Sequence, residues 1–358
     1  ASTARWEQTM ADSRYMSGIG GFGTEALTLF APGQGATVYV FNRSVYWKKA
    51  QNWVADVRDG RNRWAENLKQ RLSELGFRGG SIGISGLGAL TRSPDGTVPH
   101  RTVEALARSF PNARLVDATA LMNAVRAVKG AEEIAVIERA TAIAEAMAAR
   151  VTGLKPGDTE RTIYAAMIET LLLEGGELPA MLLLGSGPNL AHGSFVAGMR
   201  RLEPGDLVVG EIEGRYLGYS GQIVRPAVLG RSTPELARLH DAARHCFEEV
   251  RAAMRGGASL KSVVRTYSAA AARAGVEPHF PLMHARGLGD EIPVVLSAEE
   301  LETQDDVMLE NGMAFVLKPR VGRGGLSVQV GDMAAVEPDG GRRLGRAPLS
   351  LIEVPWGA

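Results

Sequence analysis

The sequence predicts an α+β protein of two domains, a smaller N-terminal α/β domain followed by a larger one built from two related halves. Three observations carry this. The chain has 358 residues, about twice a typical domain of roughly 100 to 200 residues. Up to about Arg126, short β-rich runs alternate with helical stretches. Beyond it, the order helix, helix, strands occurs twice, as expected for two similar halves around a mixed sheet.

In the first domain the strand-like runs are Thr28 to Phe30, Thr37 to Phe41 and Ser81 to Ser85, and the helical ones are Arg61 to Leu75 and Arg101 to Phe110. The join falls at Arg126 to Gly130, which divides the chain into 1–128 and 129–358. Glu132 to Val151 places Ile134, Ile137, Ala140, Ala144, Met147 and Val151 along one helical face. Pro156-Gly157-Asp158 breaks the chain. Asp158 or Thr159 then caps a second helix to about Leu173, ahead of a strand at Met181 to Leu184. Gly205-Asp206 precedes two long strand-like runs, Leu207 to Tyr216 and Tyr219 to Leu229. Helices near Pro234 to Arg255 and Leu260 to Ala274 follow, and strand-rich sequence begins at Pro281.

Hydrophobic residues make up 45% and charged residues 22%, which excludes a disordered or fibrous chain. Forty Lys plus Arg balance forty Asp plus Glu, so no electrostatic footprint for nucleic acid or anionic lipid is expected. A small-molecule substrate fits better. The one cysteine, Cys246, reads as a core residue. No apolar run approaches the ~18 residues that span a bilayer, and the start lacks a secretory h-region, so a soluble, cytoplasmic protein is expected.

Gly18-Ile-Gly20-Gly-Phe-Gly23 matches Gly-x-Gly-x-x-Gly, but no apolar strand precedes it and no acid follows about 20 residues on, so a dinucleotide site is set aside. Phosphate-loop, serine-hydrolase and zincin motifs are absent from the sequence.

Several segments in order resemble the pita-bread family of creatinase, aminopeptidase P and prolidase. They are Arg126-Ala-Val-Lys129-Gly-Ala-Glu-Glu133, Leu154-Lys-Pro-Gly157-Asp-Thr159-Glu160, Gly185-Ser-Gly187-Pro-Asn189-Leu-Ala-His192-Gly, Gly205-Asp206 with Glu211 to Arg225, His284-Ala-Arg-Gly287-Leu, and Gly312-Met-Ala-Phe315-Val-Leu-Lys318-Pro319. The resemblance implies a C-terminal pita-bread domain with a curved sheet, and a homodimer. Metal-dependent members bind two metals through Asp, Asp, His, Glu and Glu. At the matching positions this chain has Glu211, Gln222, His284, Lys318 and Gly331. An ammonium close to a divalent cation would be strongly repelled, so no metal and no cofactor is expected. The chain then resembles a metal-free branch similar to creatinase and ectoine hydrolase.

A turn at Tyr216-Leu217 would set Glu211 directly opposite Gln222, with Glu213 on the same face. Two carboxylates there would hold a raised pKa unless a cation intervenes, and Lys318 is the candidate cation. His192, in a Gly- and Pro-rich loop, matches the family's acid/base histidine. His284 could orient substrate or act as a second acid. The expected catalytic residues are therefore His192, Glu211, His284 and Lys318. Glu213, Gln222, Arg225, Arg286 and Glu291 are expected to bind substrate, the two arginines by gripping a carboxylate and Glu291 in place of a lost loop histidine. His100, His240, His245 and His279 read as surface or structural.

The expectation for function is a metal-independent hydrolase of a C–N bond in a small amide, amidine, urea or ureido compound. Either His192 activates water or Glu211 is the nucleophile. The alternatives are a lyase working by β-elimination and a catalytically inactive binding module.

Overall fold

The computed structural model describes residues 8–20, 24–90, 93–187 and 196–356. The chain forms two compact units, Ala1–Arg126 with Leu288–Asp290, and Ala127–Gly287 with Glu291–Ala358. The short 288–290 segment groups with the first unit, an assignment that no local motif marks.

In the first unit, Ala26–Ala31 pairs antiparallel with Gly35–Val40, which pairs parallel with Asp56–Asp59. Gly80–Ile84 and Ala113–Asp117 form a separate parallel pair. Ile19, Val38, Val40, Val54 and Val57 make one core cluster, and Leu72, Leu106 and Phe110 a second. The helix expected from Arg61 begins at Trp64, because Arg61 and Asn62 take left-handed φ values of 46° and 56°. The helices Ser44–Ala50 and Thr119–Ala127 were not expected, being too short to establish a period. Gly18 has φ 68° and its N–H reaches Arg14 O at 2.6 Å, closing the helix Gln8–Ser17 as an αL cap. A helix end, not a strand, therefore precedes the glycines; Gly21 to Gly23 lie outside the described residues.

The second unit carries the expected α+β plan. Helices Ala131–Ala149 and Glu160–Leu173 precede a sheet ordered Ile352–Val354, Ala227–Leu229, Leu207–Tyr216, Leu182–Gly187, with Tyr219–Val224 also paired to Leu207–Tyr216. Thr159 is the cap, its Oγ1 accepting from Thr162 N–H at 3.3 Å, while Asp158 accepts from Lys155 N–H at 3.0 Å. The run expected over 219–229 breaks at Arg225-Pro226, where proline has no N–H for a ladder. Helices Pro234–Ala253 and Leu260–Arg273 then precede a five-stranded sheet ordered Asp290–Val295, Met283–Arg286, Ala314–Leu317, Asp332–Glu337, Gly340–Arg343.

Each half has its own core. Ile143, Met147, Ile163 and Met167 pack on Ile212 and Ile223 in the first, and Phe247, Val264 and Tyr267 pack on Phe315 and Leu317 in the second. The last strand, Ile352–Val354, returns to pair parallel with Ala227–Leu229 of the first half. The two sheets meet where Val224 and Gly331 exchange N–H···O bonds of 3.0 Å in both directions. That junction brings the first half's hairpin next to the chain following Ala314–Leu317.

Candidate active site

The hairpin turns at Leu217-Gly218, both with positive φ, 48° and 85°, the pattern of a type I′ turn. Tyr216 therefore pairs with Tyr219, Glu213 with Gln222, and Glu211 with Val224. The expected register, with Glu211 opposite Gln222, is corrected by two residues, because the turn falls one position later than expected. The faces survive, since a two-residue slip preserves alternation. Gln222 still reaches Glu211 diagonally, its Nε2 donating to Oε2 at 2.7 Å.

The same oxygen accepts from Lys318 Nζ at 2.7 Å. The Lys318 side chain is 4% exposed and that of Glu211 is 18% exposed, so the pair is a nearly enclosed ammonium holding a carboxylate that still opens outward. Lys318 follows the strand Ala314–Leu317, and its N–H is fixed by Leu282 O at 2.8 Å. Gly331 lies against it: a Cβ at 331 would stand 2.9 Å from Lys318 Cβ. The lysine and the missing side chain at 331 are thus one steric arrangement. On the neighbouring strand His284 pairs with Val316, two residues before Lys318. His284 is buried, with Nδ1 3.2 Å from Ala285 O. A carbonyl only accepts, so that nitrogen carries the proton and Nε2 is the basic atom of the neutral ring.

Glu213 is not a companion to Glu211 under a shared cation. It is fully buried and ion-paired with Arg286 Nη2, and it accepts from Ser220 Oγ at 3.0 Å and Ala180 N–H at 3.1 Å. Arg225 is likewise turned inward, with Nη2 on Asp332 Oδ2 at 2.7 Å and 3.6 Å from Glu145 Oε1. Burial raises the Asp332 carboxyl above its ordinary range, and Arg225 opposes that shift. The two arginines expected to grip a substrate carboxylate, and Glu213 with them, are therefore committed to internal partners, because each lies opposite a buried charge of the other sign. Glu291, expected at a substrate loop, is paired with Lys129, whose side chain is wholly buried.

His192 lies outside the described residues. The partner roles of Lys129, Glu145 and Asp332 escaped the sequence reading, since nothing local marks a charge as destined for burial. So did Glu160, which accepts from Ser186 and Gly198.

Comparison with known proteins adds the family. Residues 135–338 match the model of metallopeptidase family M24, and residues 8–128 that of the creatinase/prolidase N-terminal domain. The "Probable dipeptidase PepE" of Mycobacterium tuberculosis is 31% identical over 250 residues, 66% of this chain and 64% of that protein, so the match spans less than two thirds of the relative's length. A "Xaa-Pro dipeptidase" of Pyrococcus horikoshii is 24% identical, covering 75% of this chain and 76% of its own. Among solved structures, an X-Pro aminopeptidase from Thermotoga maritima has a TM-score of 0.80 at 22% identity, covering 96% of this chain and 94% of its own. At that identity it supports the fold alone, and the fold agrees with the pita-bread expectation.

These findings overturn the expected function. The matched family is a metallopeptidase family and the relatives carry dipeptidase names, so neither a creatinase-like hydrolase of small amides nor placement in a metal-free branch is supported. The residues present nevertheless do not fit a metal pair: Lys318 holds Glu211, Gln222 is an amide, and Gly331 has no donor. Among the described residues no group of three or more His, Cys, Asp or Glu could hold an ion, and no helix is long and apolar enough to cross a membrane. With the second unit matched from 135 to 338 and the first from 8 to 128, the chain belongs to metallopeptidase family M24 and carries a creatinase/prolidase N-terminal domain.

Proposed function

We propose that this chain is a peptidase that hydrolyses the C–N bond of a short peptide, a dipeptide in the first instance. The observation that carries the reading is the peptidase-family match over 135–338, the stretch in which Glu211, Gln222, His284 and Lys318 all lie. The dipeptidase names of the relatives point the same way.

Amide hydrolysis requires an acceptor for a proton of water, positive charge near the carbonyl oxygen where negative charge develops, and a proton for the departing nitrogen. Lys318 is a fixed ammonium able to supply the charge. Glu211, oriented by Gln222 and Lys318 and open to solvent on its other side, is the acceptor. His284, with Nδ1 protonated toward Ala285 O, offers a basic Nε2 for proton exchange.

The test is amine release from a panel of Xaa-Pro and Xaa-Ala dipeptides, run in parallel in chelator and with added Mn(II), with creatine as a non-peptide control. Turnover of at least one dipeptide class and none of creatine is expected. Absence of turnover of every dipeptide under both conditions would overturn the proposal. We further propose that the chain forms a homodimer, which sedimentation tests, and that it resides in the cytoplasm, which cell fractionation tests.

A further inference from the structure

Lys318 and Gly331 stand opposite one another at the base of a hairpin. Leu317 pairs with Asp332 below them and Arg320 with Gln329 above, and the Val330 N–H reaches Pro319 O at 3.2 Å in between. The Lys318 backbone is held on both sides, its N–H by Leu282 O at 2.8 Å and its carbonyl oxygen by Gln329 Nε2 at 3.1 Å. The root of the lysine side chain is therefore fixed, and only the stem beyond it can adapt.

Gly331 also faces the first half. Its partner in the N–H···O exchange between the sheets, Val224, is the residue directly opposite Glu211 in the first-half hairpin. Arg225 Nη1 adds a further donor to Gly331 O. One residue thus lies between the segment that carries Lys318 and the strand beside Glu211. The space there is closed on three sides: a Cβ at 331 would stand 2.9 Å from Lys318 Cβ, 3.1 Å from Leu317 O and 3.1 Å from Val224 Cγ2. The first two atoms belong to or adjoin the backbone, and the third is part of a stiff β-branched side chain. Gly331 is outside the left-handed region, so an alanine there would meet no backbone strain and its effect would be one of space alone.

We propose that Gly331 is a positioning residue: its missing side chain sets the spacing between Val224 and Lys318, and with it the 2.7 Å contact of Lys318 Nζ with Glu211 Oε2. A methyl group at 331 has two ways to fit. Either the root of Lys318 moves away from the first-half hairpin, or the Val224–Gly331 exchange opens. Both draw the ammonium away from Glu211, and Arg225, bonded to Gly331 O, resists the second.

The consequence for turnover rests on the peptidase reading above, so the experiment has two independent arms. In the first, wild type, Gly331→Ala and Arg225→Lys are treated briefly with trace acetic anhydride, and acetylation of each lysine is read by mass spectrometry. Acylation needs an accessible amine, so an enclosed ammonium held by a carboxylate reacts slowly. Labelling of Lys318 should rise about fivefold or more in Gly331→Ala. It should rise by less in Arg225→Lys, which keeps a charge opposite Asp332 but cannot reproduce both guanidinium bonds. Lys129, whose side chain is wholly buried against Glu291, is the internal reference and should stay unlabelled. Circular dichroism checks folding; if Gly331→Ala does not fold, Arg225→Lys alone carries the arm. In the second arm, kcat for the best dipeptide should fall at least tenfold in Gly331→Ala with KM changed less than threefold, since a displaced charge alters chemistry more than ground-state binding. Unchanged Lys318 labelling in a folded Gly331→Ala, or in Arg225→Lys where only that variant folds, would overturn the proposal whatever the kinetics. So would a parallel rise at Lys129, which would mean general loosening, or an unchanged kcat beside raised Lys318 labelling. A wild type without dipeptidase activity would remove the peptidase reading and leave the first arm to decide the role of Gly331.

Discussion

The ammonium of Lys318 and the amide of Gln222 both donate to one oxygen of Glu211, each at 2.7 Å, so the carboxylate is oriented by a point charge and a dipole together. Its side chain keeps 18% exposure, which separates two effects of removing the cation. Lys318→Met preserves most of the apolar stem, and Glu211 retains both the Gln222 bond and contact with water. The stability cost should therefore be modest, about 1 to 2 kcal/mol. Function depends on the charge itself: a preorganised donor aimed at developing negative charge contributes roughly 100-fold or more in kcat. The expected outcome is a folded Lys318→Met variant whose dipeptide turnover is at least about 100-fold down. Turnover within a few-fold of wild type would take Lys318 out of the chemistry and leave it as an ion-pair partner.

At the scale of elements, the hairpin and the helix Ala131–Ala149 meet backbone to backbone. A Cβ at Gly214 would lie 2.7 Å from Ala144 N, and one at Gly221 would lie 2.5 Å from Ala140 C. Neither neighbour is the tip of a flexible side chain, so relief requires the helix itself to move off the sheet. Gly221→Ala should cost about 2 to 3 kcal/mol, at the upper end for overpacking, and lower the melting temperature by roughly 4 to 10 °C for a unit of this size. A shift below about 2 °C in a thermal melt would contradict the close approach. This packing also marks how far the sequence could be read. Helices such as Ala131–Ala149 and Pro234–Ala253 were legible because their apolar spacing is long enough to set a period. The hairpin was legible as two strands, but its register was not. Leu217 sits in the left-handed region, a conformation its side chain does not advertise, and so the turn was placed one residue early. Of the site, the meeting of Glu211, Gln222 and Lys318 followed from aligned motifs. The inward commitment of Arg225, Arg286 and Glu213 did not, because an arginine bound for a buried carboxylate and one bound for a substrate look alike in sequence.

Across the second unit, the buried charges form a set of ties between distant parts of the chain. Glu211 joins Lys318 and Arg225 joins Asp332, each pair 107 residues apart; Glu213 joins Arg286 across 73 residues and Lys129 joins Glu291 across 162. The first three link the hairpin of the first half to strands or strand ends of the second, beside the Val224–Gly331 exchange that joins the two sheets. Such pairs add little net stability over apolar replacements of similar size, yet breaking one is expensive where the surviving charge stays fully buried, which holds for the pairs other than Glu211–Lys318, since the Glu211 side chain is 18% exposed. They act on which arrangement of the halves is allowed, since any other docking would leave these charges inside without partners. The pair Glu213–Arg286 gives the cleanest case, with side chains 0% and 1% exposed. Glu213→Ala should destabilise the protein by about 3 to 5 kcal/mol, and Arg286→Met by a similar amount. The double variant Glu213→Leu/Arg286→Met should recover a large part of that loss. Recovery will be incomplete, since the Ala180 N–H and Ser220 Oγ that now donate to Glu213 would lose their acceptor, at roughly 1 kcal/mol or more each. Denaturant midpoints of the two single variants and the double variant, combined as a thermodynamic cycle, measure the coupling directly. Simple additivity of the two single losses would mean that Glu213 and Arg286 do not depend on one another, and the idea of paired charges fixing the docking of the halves would fail at its most buried example.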